Sequence, residues 1–294
     1  MFKAYFTLLA GYIGWGLFPL YWQLLTHVPS LEVTLHRIVW SIPVLALMVH
    51  ISLRRKTEFY STLHSRQQLK LLLVTALLIT INWGVYVWAV AQARVLEASM
   101  GYFLTPLINI AAGVFIFHEK LSRLKWLAIL FAATGVGYYV ISLGSLPWVA
   151  LTVGISFSAY GILRKKIRTG PIVGLYTETL MIAPFALAIL LYLHQQQSAT
   201  FLAPGSLTDL WLALGGLVTV VPLALFTTGA RCLPMTSVGI LFFITPSMQF
   251  LMGTLVLGEP LNFNKLIAFS IIWSGLILYS ISLLKTNRLD ENSR

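Results

Sequence analysis

Long apolar runs, punctuated by short clusters of charge, glycine and proline, set the pattern of this chain. Charge-free or nearly charge-free stretches fall at 4–25, 32–53, 70–92, 95–117, 123–143, 146–163, 171–193, 209–230, 234–257 and 263–284. Most match the ~20 residues that an α-helix needs to cross a hydrocarbon core at ~1.5 Å per residue. A spanning β-barrel would instead alternate apolar and polar positions in segments of about ten residues. The pattern therefore predicts an all-α integral membrane protein with ten transmembrane helices. The sixth stretch is short, and its separation from the fifth rests on the Gly144-Ser145-Leu146-Pro147 turn. Lys3 precedes the first run and no small-residue cleavage site follows it, which predicts a retained helix and not a signal peptide.

Composition agrees with this reading. Of 294 residues, 58% are hydrophobic and only 10% are charged, too few polar groups to coat a water-facing domain. Charge adds topology: Lys and Arg number 20 against 9 acids, a net +11 that in a soluble chain would suggest nucleic acid. With the N-terminus inside, seventeen of the 20 fall on the inner side, in clusters such as Arg54-Arg55-Lys56 and Arg164-Lys165-Lys166. Only Arg37, Arg94 and Lys265 fall outside or in outer helix parts. That positive-inside bias predicts both termini in the cytoplasm. It also accounts for the basic excess, so no nucleic-acid partner is implied, and the partner is the lipid bilayer. Cys232 is the sole cysteine, so neither an internal disulfide nor a cysteine metal cluster is expected. No metal and no cofactor is implied.

The chain also repeats itself. Thr105-Pro106, Glu119, Lys125, Gly135 and Ser142 recur as Thr245-Pro246, Glu259, Lys265, Gly275 and Ser282 at a constant offset of 140. Pro43 and Pro184 match at 141. The predicted domains are a five-helix repeat over 1–143, a second over 144–285 and a cytoplasmic tail over 286–294. An odd number of spans per repeat forces the halves to insert with opposite orientation, as two inverted five-helix repeats. Many secondary transporters are built this way, with a substrate site near the midplane. Pro106, Pro222 and Pro246 each remove a backbone hydrogen bond inside a span, which makes them hinge candidates or static kinks.

Several stretches together resemble the drug/metabolite transporter superfamily, in its EamA-type ten-helix branch and the RarD group of bacterial permeases. They are Trp15-Gly16, Glu32, His36-Arg37, Trp40, Asn82-Trp83, Glu97 with Gly101-Tyr102-Phe103 and Pro106, Tyr160-Gly161, Glu178 and Gly258-Glu259. His118 departs from the pattern, standing before Glu119 where such proteins often carry glycine. The resemblance implies a permease for small organic metabolites or drugs, often an exporter, in the bacterial inner membrane. It also implies that spans one, three, four, six, eight and nine surround the cavity, with five and ten packing away from it.

Ionisable groups inside spans carry the chemistry, because burying them is costly. Arg37 is a candidate for an anionic group of the substrate and His36 for a proton, against the alternative that Arg37 and Glu32 snorkel to the outer interface. Glu178 is the proton-coupling candidate, its rival a packing carboxylate bonded to a neighbouring threonine or tyrosine. Inverted symmetry places Arg37 and Glu178 near opposite mouths. Trp15, Asn82, Trp83, Tyr86, Tyr102, Tyr160 and Gln249 are expected to line a pocket of flat apolar walls with a few hydrogen-bonding tips. Glu119 and Glu259 precede Ser122 and Asn262, which read as caps of the following helices. Arg94 and Glu97 read as an interfacial pair. Ala128, Ala132, Ala133, Gly135 and Gly137 in span five suit close helix packing or a homodimer contact through spans five and ten.

The leading reading is a secondary transporter, proton-linked, for a small-molecule substrate. The chain carries no GxxxxGK[ST] loop for direct ATP drive. An intramembrane lipid-modifying enzyme would need a HExxH, a paired-acid motif or a serine elbow, and none is present. A non-transporting receptor or scaffold with a permease fold stays open.

Overall fold

In the computed structural model the described residues are 2–92, 95–142, 144, 148–202, 207–256 and 263–292, with the side chains of 90–91, 95–100, 265 and 285–292 excepted. Every regular element among them is helical. The first span is two helices, α1 (Phe2–Gly16) and α2 (Phe18–Gln23), and the join at Leu17 follows from Pro19. Proline has no N–H to return to the Trp15 carbonyl four residues back, and its ring crowds that turn. The Trp15 oxygen, denied that donor, accepts from Gln249 Nε2 at 3.2 Å.

Next come α3 (Ser30–His50), α4 (Leu53–His64), α5 (Arg66–Ala91), α6 (Val95–Phe115), α7 (Arg123–Ser142), α8 (Trp148–Lys166), α9 (Pro171–Gln195) and α10 (Thr208–Cys232). The ninth span is broken into α11 (Met235–Phe242), α12 (Ile244–Leu251) and a π-helical turn (Met252–Val256), and α13 (Phe263–Asn292) follows. The break at Phe243 lies where Pro246 denies the Phe242 carbonyl its helical partner. Pro106 and Pro222, by contrast, sit inside continuous helices.

The molecule is thus an all-α, multi-pass helical bundle. Among the described residues seven helical stretches are long and apolar enough to cross a membrane by length and composition, and Gly101–Phe115 is a shorter apolar helix. That is fewer than the ten expected, for local reasons. The first span is interrupted at Leu17, and α8 ends in Arg164-Lys165-Lys166. Between α3 and α5 the basic segment forms α4, a short amphipathic helix that buries Phe59 and Thr62 against the bundle. Helix α13 continues through Asn292.

Packing between α7 and α13 is extensive, and it is reciprocal. A Cβ on Gly135 would lie 2.8 Å from the Ala268 carbonyl oxygen, and one on Gly275 would lie 2.7 Å from that of Ala128. Both pairs are offset by 140 residues. Ala128, Ala132 and Gly135 of span five are therefore occupied within the chain, while Gly137 faces open space. α10 meets α3 where Gly216 abuts the Trp40 backbone, and it meets α1 where Gly14 abuts the Pro222 ring.

Candidate functional site

A cavity of about 260 Å³ lies among α1, α2, α3, α5, α6, α8, α10, α11 and α12. It sits toward the ends where α2 finishes, α3 begins and α5 finishes, away from the basic inter-helix segments. Trp15, Arg37, Asn82, Trp83, Tyr86, Tyr102 and Gln249 all line it. His36 and Tyr160 do not. His36 is buried between Glu32, 3.9 Å from Nε2, and the Phe201 ring at 4.5 Å between centroids. Tyr160 faces a smaller, adjoining cavity of about 30 Å³ together with Glu178.

Arg37 is positioned by close approach of two helices. Gly215 on α10 leaves room for the Arg37 stem: a Cβ there would sit 3.0 Å from Arg37 Cγ and 2.6 Å from Tyr21 Oη. Arg37 Nε donates to Thr219 Oγ1 at 2.8 Å, and that hydroxyl donates to the Gly215 carbonyl at 2.7 Å. Phe18, Trp22 and Trp83 surround the guanidinium at 5.3, 5.5 and 5.5 Å from ring centroid to Cζ, which offsets part of its desolvation. Arg37 and Glu32 are both buried against protein. Glu32 accepts from the backbone N–H groups of Thr200 and Phe201 and from the Thr200 hydroxyl, a structural anchor for the segment after α9.

Asn82 is held by bonds from Nδ2 to the Val153 carbonyl at 2.8 Å and Ser156 Oγ at 3.1 Å, tying α5 to α8. Tyr86 and Tyr102 meet edge to face at 5.9 Å, and Tyr102 stacks on Phe242 at 6.5 Å. Phe18, Trp22, Thr219, Phe157 and Phe242 also line the cavity and were not singled out from the sequence. Phe18 and Trp22 follow Trp15 at helical spacing of three and seven, a signal that was available. Thr219 gave no such signal.

The smaller cavity shares Ile79, Trp83, Thr219 and Leu223 with the larger, so these side chains form a common wall. Behind it Glu178 Oε1 accepts from Thr75 Oγ1 at 2.5 Å, Oε2 accepts from Tyr160 Oη at 3.2 Å, and Arg164 Nη1 lies 3.5 Å away. The bonds expected of a packing carboxylate are thus present, to Tyr160 and to Thr75 of another helix and not to the adjoining Thr177 or Thr179.

At the opposite end, polar bonds join the inter-helix segments. Glu119 accepts from Met235 N at 2.5 Å, Thr236 N at 3.0 Å and Thr236 Oγ1 at 2.6 Å. It thereby caps α11, a role beyond that of an acid near the positive end of α7. Ser122 itself accepts from Lys125 N at 3.3 Å as an α7 cap. Arg231 donates to the Thr169 and Arg168 carbonyls, Glu58 accepts from Gly170 N at 2.6 Å, and Lys165 donates to the Leu233 carbonyl. Burial lowers the Lys165 pKa, with Glu119 acting against the shift. His118 adopts φ +51°, the left-handed region that glycine would occupy without strain. Arg94 and Glu259 lie outside the described residues, as does the Glu97 side chain, so the expected Arg94–Glu97 pair and second-repeat cap do too.

Residues 2–141 and again 146–281 match the EamA-like transporter family. The chain belongs to the EamA-like transporter family. As an EamA-like transporter it is a multi-pass bacterial inner-membrane permease that moves small molecules by secondary transport, and not an enzyme. It is similar to an uncharacterized transporter of Vibrio cholerae, 36% identical over 99% of this chain and 96% of the relative. It is similar also to transporter YojE of Bacillus subtilis, 39% identical over 96% of this chain and 95% of the relative. Protein RarD of Escherichia coli K12 is 36% identical over 95% of this chain and 94% of its own length. One solved crystal structure shares the fold at TM-score 0.72 and 16% identity, over 95% of this chain and 97% of the other. Among the described residues no group of His, Cys, Asp and Glu is arranged to hold a metal ion.

Proposed function

We propose that this EamA-like transporter works by alternating access, with the Arg37 cavity as its substrate site. Its ten membrane crossings are α1–α2, α3, α5, α6, α7, α8, α9, α10, the α11–α12 segment and α13, arranged as two inverted five-helix repeats over 1–143 and 144–285. Both termini lie in the cytoplasm, and export is the direction we propose. The observation that carries this reading is a cavity walled by helices of both family-matched segments, set toward one end of the bundle while the other end is clasped by Glu119 and Glu58. Two similar halves that tilt about such a cavity give two states of near-equal energy. The helix breaks at Leu17 and Phe243, beside Pro19 and Pro246, support hinge roles there.

Glu178 is the proposed proton site. It is buried behind the wall of Ile79, Trp83, Thr219 and Leu223, which links it to the substrate cavity through shared side chains. A homodimer through α7 and α13 would use their lipid-facing rows, such as Leu130 and Ile277.

Proteoliposome assays test this. Saturable counterflow of a small organic solute is expected, with net uptake that responds to an imposed pH gradient. Glu178→Gln is expected to keep counterflow and lose the gradient response. Full gradient response in that variant removes Glu178 as the coupling site. Absence of saturable flux for any solute class removes the transport cycle. Reporter fusions at residue 60 and at the C-terminus should both report cytoplasm, and a periplasmic signal at either overturns the orientation.

A further inference from the structure

Arg37 brings the sole formal charge to the large cavity among the described residues that line it; no aspartate or glutamate stands there. Its side chain is nine-tenths buried, with 9% exposure. Of its donors only Nε is used, on Thr219 Oγ1, and Nη1 and Nη2 have no hydrogen-bond partner among the described residues. The Thr219 hydroxyl spends its own proton on the Gly215 carbonyl, so its lone pair must face Arg37 and the guanidinium is held in a fixed orientation. Phe18, Trp22 and Trp83 pack around it. What is left is a pair of terminal N–H groups in one plane, set among aromatic walls. A buried cation without an acid is costly, and a planar oxyanion that takes two parallel N–H bonds relieves that cost best.

We propose that the cavity selects soluble organic monoanions, with a carboxylate held two-pronged on Arg37 Nη1 and Nη2 and a flat apolar body between the aromatic walls. This deepens the transport reading and rests on it for the role of the cavity. Neutral and cationic compounds of the same shape are discriminated against. The neutral one leaves Arg37 half satisfied, and the cationic one meets like charge with no carboxylate among the described lining residues to offset it.

Titration calorimetry on the purified full chain in detergent tests this with three probes of one ring system: indole-3-acetate, indole-3-acetamide and tryptamine. Indole-3-acetate is expected to bind roughly ten- to a hundredfold more tightly than the amide, with tryptamine weakest. Arg37→Gln is expected to erase the preference while amide binding persists. Equal binding of the three by the natural chain, or a preference for tryptamine, overturns the proposal without recourse to a variant. So does a preference that survives Arg37→Gln in monodisperse protein. Displacement of indole-3-acetate by phosphatidylglycerol in mixed micelles would assign Arg37 to a lipid headgroup and also overturn it. Failure of the transport reading is distinguishable: preferential anion binding without any counterflow leaves this inference standing and removes that one.

Discussion

Arg37 on α3 and Glu178 on α9 stand 141 residues apart, and each is hydrogen-bonded to a threonine of the long helix beside it. Arg37 Nε bonds Thr219 of α10 at 2.8 Å, and Glu178 Oε1 bonds Thr75 of α5 at 2.5 Å. The environments then diverge. Glu178 has Arg164 at 3.5 Å, whereas Arg37 has aromatic rings and no described carboxylate in its cavity. Glu178 belongs to a compensated pair, and Arg37 has no such partner among the described residues that line its cavity.

Thr219 should matter through Arg37. Thr219→Val removes the acceptor for Nε without changing volume, and a hydrogen bond to a charged group contributes about 1.5–3 kcal/mol. A rise in transport KM of roughly tenfold is expected, with kcat less affected and Thr219→Ser near the natural value. Unchanged kinetics in Thr219→Val would show that the bond does not orient Arg37.

Arg164 and Glu178 should be coupled. Breaking a buried pair from one side costs about 3–5 kcal/mol, because it strands the other charge. Arg164→Met and Glu178→Gln are each expected to lower the midpoint of thermal unfolding in detergent. The double variant should lie above the sum of the single losses. Additive losses would mean that the 3.5 Å approach carries no interaction energy.

The α7–α13 contact offers an internal control. Gly135→Ala would push a methyl to 2.8 Å from a backbone carbonyl oxygen, while a Cβ on Gly137 meets nothing within 4 Å. Overpacking costs about 1–3 kcal/mol, whereas alanine for glycine at an open helical site gains about 0.5–1 kcal/mol. Gly135→Ala should therefore destabilise and Gly137→Ala stabilise. Equal effects would contradict the intramolecular pairing of these helices.

His118→Gly should stabilise. The left-handed backbone at φ +51° costs a non-glycine residue about 1–2 kcal/mol, only part of which glycine returns as unfolded-chain entropy. An unfolding midpoint unchanged or lowered would mean that the imidazole offsets the strain.

How much of this was legible beforehand follows from what each feature depends on. Helix positions depend on runs of apolar residues, so they could be read to within a few residues. The Gly135 and Gly275 contact depends on a repeat visible as an offset of 140. The cavity aromatics were readable in part, because Asn82, Trp83 and Tyr86 fall together within one span, although interfacial belts and ordinary packing use the same residue types. What failed depended on tertiary partners. Glu119 precedes α7 in sequence yet caps α11, since only folding brings Met235 within 2.5 Å of its carboxylate. His36 neighbours Arg37 but projects about 100° away around a helix, toward Phe201.

The central claim, that one cavity is reached alternately from the two sides, is tested most directly by sided labelling. Cys232 is the only cysteine, so Cys232→Ser with Tyr102→Cys places a single thiol in the cavity. A membrane-impermeant maleimide is applied to right-side-out and inside-out vesicles. Labelling should favour the outer side at rest and shift to the inner side when Glu119→Ala releases the three donors of α11. Labelling from one side alone, with and without Glu119→Ala, would contradict the account.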